Sequence, residues 1–282
     1  MSVKSVHRSR QFLQSYGPWA LVAGASEGLG AAFAEALAVH GLNLVLVARR
    51  SALTQALADR LSREYAIQVR TLSLDLANSA ASGRIADETS DLDVGLLVYN
   101  AAYSAVGLFL ERPLSDHLLE VDTNVRTPLA LVEIFGKRMI QTGRGGIILM
   151  TSLSAFQGSP YISTYSATKA FNIILAEGLW EEWRRKGVDV LACISGAIRT
   201  PNYLASSPQH TGRLSDSTLR PETVVAETLA ALGRQPTVIP GSLNRLSSFV
   251  MRRLLSRRAA IRIMGFVLKG MYAHEQSTKQ ER

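Results

Sequence analysis

The chain has 282 residues and a hydrophobic fraction of 47%, which fits one large α/β domain better than two small ones. Cys193 is its only cysteine, so an intrachain disulfide is excluded and a reducing compartment, the cytoplasm, is expected. No run of about eighteen uncharged apolar residues occurs, and the N-terminal stretch lacks a signal peptide's apolar core. We therefore expect no transmembrane helix and no leader.

The net charge of +8 is concentrated at the two ends of the chain. A basic N-terminal segment, residues 1–16, carries three basic side chains, and eight basic residues without any acid lie between Arg234 and Lys269. Such an asymmetry indicates either an anionic partner or solvated helix faces, and we favour the second. The basic stretch lacks interleaved stacking aromatics, so no nucleic-acid partner is predicted.

An apolar run at residues 19–23 predicts a buried strand, and an alanine-rich pattern at 31–40 predicts a helix. The glycine-rich turn between them has the context of a dinucleotide site rather than of an ordinary turn. Glycines permit a tight turn and bring backbone N–H groups close to a pyrophosphate at the helix N-terminus. The predicted cofactor contacts in this turn are Gly24, Ser26, Gly28, Leu29 and Gly30.

A second strand, 42–48, ends where a nicotinamide enzyme distinguishes its two cofactors. An acid there would hold the ribose hydroxyls of NAD, but here Arg49 and Arg50 follow the strand. Two guanidinium groups suit a 2′-phosphate, so the sequence predicts NADP(H). The alternative is a charge pair at the start of the next helix. Glu27 in the phosphate loop argues mildly against NADP(H) unless its side chain points to solvent.

Strand and helix patterns alternate along the chain, which predicts an α/β fold. We expect a single Rossmann-like doubly wound parallel sheet of about seven strands, with helices on both faces, over residues 17–240. The further strands are predicted near 68–74, 94–98, 146–150, 188–194 and 237–240, and the main helices near 52–65, 165–186 and 221–232. Ligands of such sheets bind at the carboxyl ends of the strands.

Residues that follow the later strands complete the predicted cofactor site. Asp75 could accept from the adenine amino group or, alternatively, cap the next helix. Small residues after the fourth strand let a cofactor lie close to the backbone. Beyond the phosphate loop and the two arginines, the predicted contacts are Asp75, Leu76, Asn100, Ala101, Ala102, Gly196, Ile198 and Thr200.

Tyr165 and Lys169 share one face if their segment is helical, because positions i and i+4 lie one turn apart. A free tyrosine has a pKa of about 10, and a lysine ammonium nearby moves that pKa towards neutrality. Ser152, at the end of a predicted strand, could hold a carbonyl oxygen beside the phenol. Asn124 lies in a predicted helix, where asparagine is unfavourable and needs a specific reason. Tyr165, Lys169 and Ser152 predict a site for ketone reduction or alcohol oxidation, although the Tyr–Lys spacing alone also occurs on exposed helix surfaces.

Together these residues resemble the short-chain dehydrogenase/reductase family over roughly residues 17–240. The family's glycine motif is matched by Gly24, Gly28 and Gly30, and its adenine-side acid by Asp75. Its Asn-Ala-Gly motif falls on Asn100, Ala101 and Ala102. Its catalytic tetrad falls on Asn124, Ser152, Tyr165 and Lys169. The chain departs from the family at Ala23, where threonine is usual, and at Ser195, where proline is usual. We expect Ser195 to loosen the turn beside the nicotinamide.

The resemblance implies a role for each member of the tetrad. Ser152 polarises the carbonyl and Tyr165 transfers the proton. Lys169 binds the nicotinamide ribose and lowers the tyrosine pKa, and Asn124 holds a water relay to the lysine. Tyr165 and Lys169 are thus also expected to contact the cofactor.

Finer likeness points to the branch of very-long-chain 3-oxoacyl-CoA reductases and 17β-hydroxysteroid dehydrogenases. We expect an NADPH-dependent oxidoreductase that reduces a ketone, or oxidises the corresponding alcohol, of an apolar 3-oxoacyl, steroid-like or polyketide-like compound. The residues expected to line the substrate follow the strands: Tyr103, Phe109, Phe156, Tyr161, Tyr203 and Leu204. The alternative is a catalytically idle NAD(P)-binding sensor or scaffold, against which the intact tetrad argues.

The C-terminal part of the chain carries two further predictions. Residues 201–221 are polar and irregular, as in a lid or a plain surface loop. The basic extension, 241–282, shows apolar residues at helical spacing over 243–272. These helices either pack on protein, which we favour together with a homodimer or homotetramer, or associate weakly with a membrane surface. No metal-ligand spacing is found.

Overall fold

The computed structural model of the protein describes residues 3–201 and 218–280. Its strands are β1 Trp19–Ala23, β2 Asn43–Ala48, β3 Val69–Ser73, β4 Val94–Tyr99, β5 Gly145–Ser152, β6 Val188–Ser195 and β7 Thr237–Val238. They form one seven-stranded sheet in the order β3-β2-β1-β4-β5-β6-β7, and every pairing is parallel. The predicted doubly wound fold is confirmed.

The helices fill the crossovers between the strands and extend the chain at both ends. They are α1 Val3–Tyr16, α2 Gly28–Val39, α3 Ser51–Tyr65, α4 Ala81–Glu88, α5 Leu114–Val121, α6 Thr127–Thr142, α7 Ser163–Trp183, α8 Pro221–Ala231, α9 Ser242–Phe249 and α10 Arg257–Gln280. Helix α2 begins three residues earlier than predicted, inside the glycine motif, and α7 ends at Trp183, before Lys186. The basic N-terminal segment, to which no element was assigned, forms α1.

The central strands are apolar without alternation because helices cover both faces of the sheet. Successive side chains of β1 point to opposite faces. Val22 packs in one core with Phe33 of α2, and Leu21 packs in the other with Phe135 of α6. This two-sided burial leaves the carboxyl edge of the sheet as the place where polar side chains can meet.

The C-terminal helices pack on the same chain. Ala260 and Leu268 of α10 are buried, and Ile261 lies beside Gly158 in the β5–α7 connection. A Cβ atom at Gly265 would meet the ring of Pro160 at 3.3 Å. The extension thus covers the loop that leads from Ser152 to α7. Within the described ranges, no helix is both long and apolar enough to cross a membrane.

Candidate active site

Asn124 lies in a single turn of π-helix, Asp122–Arg126, between α5 and α6. Its buried Nδ2 donates to the carbonyl of Tyr103 at 2.8 Å and to Oγ1 of Thr168 at 3.1 Å. Its Oδ1 accepts from the backbone N–H of Tyr103 at 2.9 Å. The side chain therefore fixes the segment after β4 against α7, which explains an asparagine inside a helix. Single π turns occur frequently at functional sites.

The backbone carbonyl of Asn124 has a partner that sequence reasoning missed. Nδ2 of Asn172, three residues after Lys169 on α7, donates to this carbonyl at 2.9 Å. Both residues are buried, and Oδ1 of Asn172 has no hydrogen-bond partner among the described residues. An unpaired buried oxygen of this kind suits an ordered water. The helix-propensity argument that singled out Asn124 would also have identified Asn172.

Lys169 is buried on the face of α7 that it shares with Tyr165. Its Nζ donates to the carbonyl of Met150 at 2.9 Å and lies 5.6 Å from the centre of the Tyr165 ring. Burial lowers the pKa of Lys169 from 10.5 to about 8. An ammonium at this distance favours the phenolate form of a tyrosine. The predicted pairing of the two side chains on one face is thus present.

Ser152 is the last residue of β5 and caps the 3-10 helix Leu153–Phe156 that follows. Its Oγ accepts from the backbone N–H of Ser154 at 3.2 Å and from the hydroxyl of Ser154 at 3.0 Å. A serine hydroxyl has two acceptor sites and one donor. Because both acceptor sites are used, the remaining capacity of Ser152 is to donate, which is what polarisation of a carbonyl oxygen requires.

The glycine motif forms a cradle that fits a pyrophosphate. Gly24 and Gly28 have positive φ angles of 83° and 57°, and a Cβ at Gly24 would lie 2.7 Å from the backbone of Ala101. Nδ2 of Asn100 donates to the carbonyl of Gly24 at 2.9 Å, which holds the loop to β4. Helix α2 begins at Gly28 without a side-chain cap and without an acid in its first turn. Its N-terminus is therefore suited to an anion.

We predict that Gly30→Ala weakens cofactor binding at least tenfold. A Cβ at Gly30 would overlap the carbonyl of Gly24 and crowd Nδ2 of Asn100, so the loop must move away from its position. Gly178→Ala is the matched control, because a Cβ there in the middle of α7 meets nothing within 4 Å. Titration of cofactor fluorescence measures both variants. A Gly30→Ala variant that binds the cofactor as tightly as the parent protein would contradict this prediction.

The two arginines after β2 have different surroundings. Arg50 donates to Oγ of Ser26 at 2.8 Å and pairs with Glu27 at 2.7 Å. Arg50 therefore neutralises the Glu27 carboxylate, so this acid no longer argues against a phosphate-bearing cofactor at the site. Arg49 is exposed and forms no ion pair with any described residue. Of the two guanidinium groups, that of Arg49 is the one left for a ligand.

The segment after β3 is built as a turn. Oδ1 of Asp75 accepts from the N–H of Ala77 at 3.1 Å, whereas α4 begins only at Ala81, so Asp75 does not cap that helix. The carboxylate remains exposed. Leu76 is buried, and its carbonyl accepts from Oγ1 of Thr127 at 2.7 Å. This bond connects the adenine side of the expected cofactor site to the start of α6.

The end of β6 corrects one prediction. Ser195 does not loosen the turn, because it is the last residue of β6, pairs with Ser152 and donates to the carbonyl of Thr151 at 3.3 Å. Beyond it the chain is also held. A Cβ at Gly196 would lie 2.8 Å from the Asn244 amide, and Ile198 forms a parallel bridge with Leu219. The side chain of Thr200 lies against the glycine turn, since a Cβ at Gly28 would be 3.0 Å from it.

The described substrate-lining candidates lie on the loops after β4 and β5, and one of them, Tyr103, contacts the tetrad directly. Phe109 is 56% exposed and stacks on His117, whose Nδ1 lies 2.9 Å from Oγ1 of Thr164 next to Tyr165. The carbonyl of Tyr161 accepts from Gly107 N–H at 2.9 Å, which joins the loops after β4 and β5. Tyr103 is held by Asn124, and Phe156 lies beneath the guanidinium of Arg252. Tyr203 and Leu204, with most of the predicted lid, lie outside the described residues.

Glu120 is a further member of the site region that the sequence did not reveal. Its buried carboxylate accepts from the N–H of Ala105 at 2.6 Å, and burial raises its pKa. It lies one helical turn before Asn124, so both side chains fix the segment after β4 from the same helix face. The i, i+4 spacing from Asn124 was the available signal.

The family assignment follows from comparison with known proteins. A family model described as short chain dehydrogenase matches residues 18–210. The chain belongs to the short-chain dehydrogenase family. A 7beta-hydroxysteroid dehydrogenase of Clostridium sardiniense is 31% identical over 234 residues, 83% of this chain and 89% of the relative. The very-long-chain 3-oxoacyl-CoA reductase of Homo sapiens is 27% identical over 78% of this chain and 70% of its own length.

Solved structures agree with this assignment. One from a study of 7beta-hydroxysteroid dehydrogenase stereoselectivity superposes with a TM-score of 0.85 and 29% identity, covering 89% of this chain and 98% of the other. A short-chain dehydrogenase from Sphingobium yanoikuyae in complex with NADPH superposes with a TM-score of 0.73 and 27% identity, covering 84% of this chain and 94% of the other. This short-chain dehydrogenase is therefore an oxidoreductase of hydroxyl or keto groups that binds a nicotinamide cofactor.

Proposed function

We propose that this short-chain dehydrogenase reduces the ketone of an apolar substrate with NADPH, or oxidises the corresponding secondary alcohol. The observation that carries the proposal is the group formed by Ser152, Tyr165 and Lys169 at the carboxyl edge of the sheet. Ser152 has a hydrogen left to donate, and the Lys169 ammonium lies 5.6 Å from the tyrosine ring. The alternative of a catalytically idle sensor gains no support from any of these contacts.

In the direction of reduction, Ser152 donates to the carbonyl oxygen and orients it. Tyr165 gives its phenolic proton to that oxygen as the C–O bond becomes single, and Lys169 stabilises the phenolate that remains. Gly24, Gly28 and Gly30 would hold the cofactor pyrophosphate. The cofactor, when bound, supplies the hydride that reaches the carbonyl carbon. The product is the secondary alcohol, and the proton of Tyr165 is replaced from solvent.

The preference for NADP(H) rests on Arg49. Its guanidinium is exposed at the end of β2, whereas Arg50 is held by Ser26 and Glu27. The only acid at this position of the loop, Glu27, is already paired. A 2′-phosphate beside Arg49 would form a charge-assisted hydrogen bond, which contributes roughly 1.5–3 kcal/mol.

Arg49→Asp should shift the preference from NADPH towards NADH by about one to two decades, because a repulsion replaces that bond. The measurement is kcat/KM with each cofactor at fixed ketone. Arg84→Asp, the same charge change on exposed α4, is the control and should leave the ratio unaltered. Equal constants for NADH and NADPH in the parent protein would refute the assignment.

The proposed substrate class is an apolar carbonyl compound such as a 3-oxoacyl, steroid-like or polyketide-like ketone. Aromatic side chains at Phe109, Phe156 and Tyr161 support it, since they lie on the loops that follow β4 and β5 at the carboxyl edge of the sheet. The names of the hydroxysteroid dehydrogenase and oxoacyl-CoA reductase relatives agree with a large apolar skeleton.

Self-association and cytoplasmic location stay predictions. A homodimer or homotetramer is supported by exposed apolar side chains on the adjoining helices α5 and α7. Leu114 and Leu118 of α5 are exposed, and Ile174 of α7 is 68% exposed. A second copy of the chain would remove this apolar surface from water.

A further inference from the structure

A cavity of about 250 Å³ lies between the end of β7 and the segment formed by α9 and the π-helical turn Val250–Leu254 after it. We call it the arginine pocket. It is lined by Ile239, Arg245, Ser248, Phe249, Arg252 and Arg253. None of these residues belongs to the tetrad or to the predicted cofactor contacts, so the reaction described above leaves the pocket without a role.

The pocket carries uncompensated positive charge. Arg245 pairs with Glu227 at 2.7 Å and also donates to the carbonyl of Ile239. By contrast, neither Arg252 nor Arg253 forms an ion pair within the described part of the chain. Three arginines against one carboxylate leave an excess of two positive charges. Guanidinium groups in this arrangement favour carboxylate, sulfonate or phosphate oxygens.

Ser248 is an independent indication of a ligand in the pocket. The residue is only 5% exposed, yet its Oγ has no hydrogen-bond partner among the described residues. A buried polar group without a partner costs about 1–3 kcal/mol, so such groups are rare unless a water or ligand satisfies them. A hydroxyl in a cationic pocket can donate to an anionic oxygen.

The arginine pocket adjoins the active site through Phe156. The guanidinium of Arg252 lies 4.2 Å from the centre of the Phe156 ring. Phe156 ends the 3-10 helix that begins directly after Ser152. At about 2.0 Å per residue, this helix separates Phe156 from Ser152 by roughly 8 Å. Asn244, on the same helix as Ser248, also lies against Gly196 on the nicotinamide side. A substrate held at Ser152 can therefore reach the pocket.

We propose that the arginine pocket binds an anionic terminus of the substrate: a carboxylate, sulfonate or phosphate on an apolar skeleton, on the order of 10 Å from the reacting carbonyl. The proposal rests on the proposed function, since it assigns the same substrate a charged end. Arg253 and Arg252 hold the anion, Ser248 donates to it, and Phe156 contacts the skeleton between the two ends.

Equilibrium binding tests the pocket without requiring turnover. The probes are a steroid carboxylate and a long-chain fatty acid, each compared by calorimetry with its own methyl ester in the presence of NADP⁺. We expect at least one acid to bind tenfold or more tightly than its ester. Arg253→Gln should reduce that ratio to near one, and Ser248→Ala should reduce it by a smaller factor. Arg257→Gln, an exposed arginine outside the pocket, is the control and should keep the ratio.

Two results would overturn the proposal. The first is equal binding of acid and ester by the parent protein for both skeletons. The second is an Arg253→Gln variant that keeps the acid preference but loses co-sedimentation with anionic phosphatidylglycerol vesicles, since the pocket would then serve a lipid headgroup. Reduction of the methyl ester of a keto acid with NADPH is measured separately. Its absence, with the binding preference intact, counts against the proposed reaction and not against the pocket.

Discussion

Tyr165→Phe should lower kcat/KM for ketone reduction by roughly 10²–10⁴-fold, the range typical of a lost general acid. The variant keeps the ring and removes only the phenolic proton donor. Ser152 still orients the carbonyl, and the glycine cradle lies in the separate connection between β1 and α2. Cofactor affinity should therefore stay close to that of the parent, which identifies the loss as one of chemistry.

Tyr65→Phe is the matched control for this prediction. Its hydroxyl bonds to Glu35, and its ring packs on the face of the sheet opposite to α7, so the same atom is removed without contact with the site. Turnover of this variant should equal that of the parent. Near-parental turnover in Tyr165→Phe would mean that another group donates the proton, and the tetrad assignment would be wrong.

The fold could be predicted because its signals are local. Each central strand is built mainly from apolar residues, and the glycines, arginines and small residues that follow these strands must meet at one edge of a parallel sheet. The contacts that hold the site could not be predicted in this way. Asn172 bonds to Asn124 across 48 residues, a pairing that depends on how α6 and α7 pack. Helix α1 was missed because its sequence begins with polar residues. The hydrogen bond from the Tyr16 hydroxyl to Asp189, which holds the end of the helix, spans 173 residues and is not visible in a local pattern.

The basic C-terminal extension shows the same limit. From sequence, an excess of arginines fits either solvated helix faces or an anionic partner, and the solvated faces are favoured. In the fold, the arginines differ: Arg245 is paired, Arg252 is stacked on an aromatic ring, and Arg253 lines a cavity with a buried serine. The distinction depends on distances between helices, which composition does not contain.

Lys169→Met should reduce turnover by about 10- to 10³-fold. A neighbouring positive charge lowers the pKa of a phenol by about one to three units, and methionine removes the charge that Lys169 places beside Tyr165. The same change should alter stability in a way that a surface lysine would not. Burial lowers the pKa of Lys169 to about 8 from an ordinary 10.5. The folded state therefore disfavours the charged amine, and removing the lysine should relieve that destabilisation.

The sign of the pH dependence follows from proton binding. Between pH 8 and 10.5 the unfolded chain holds a proton on this amine that the folded protein has released. The free energy of unfolding of the parent should then rise with pH across this window, by on the order of 3 kcal/mol relative to Lys169→Met. Below pH 8 both states are protonated and the full destabilisation is present, so the variant gains most there. The lost bond to the Met150 carbonyl offsets about 1 kcal/mol of that gain.

Urea unfolding of the cofactor-free protein at several pH values measures this difference directly. Both proteins are compared in a Tyr165→Phe background, which removes the tyrosine that titrates together with Lys169. Taking the parent minus the variant then cancels uncoupled groups such as Cys193, whose pKa burial raises to about 12. Lys137→Met, on an exposed ion pair of α6, is the control and should give a difference that does not change between pH 8 and 10.5. A flat difference for Lys169→Met as well would show that the amine keeps its ordinary pKa in the fold. Lys169 would then act on Tyr165 as a permanently charged ammonium at every pH below 10.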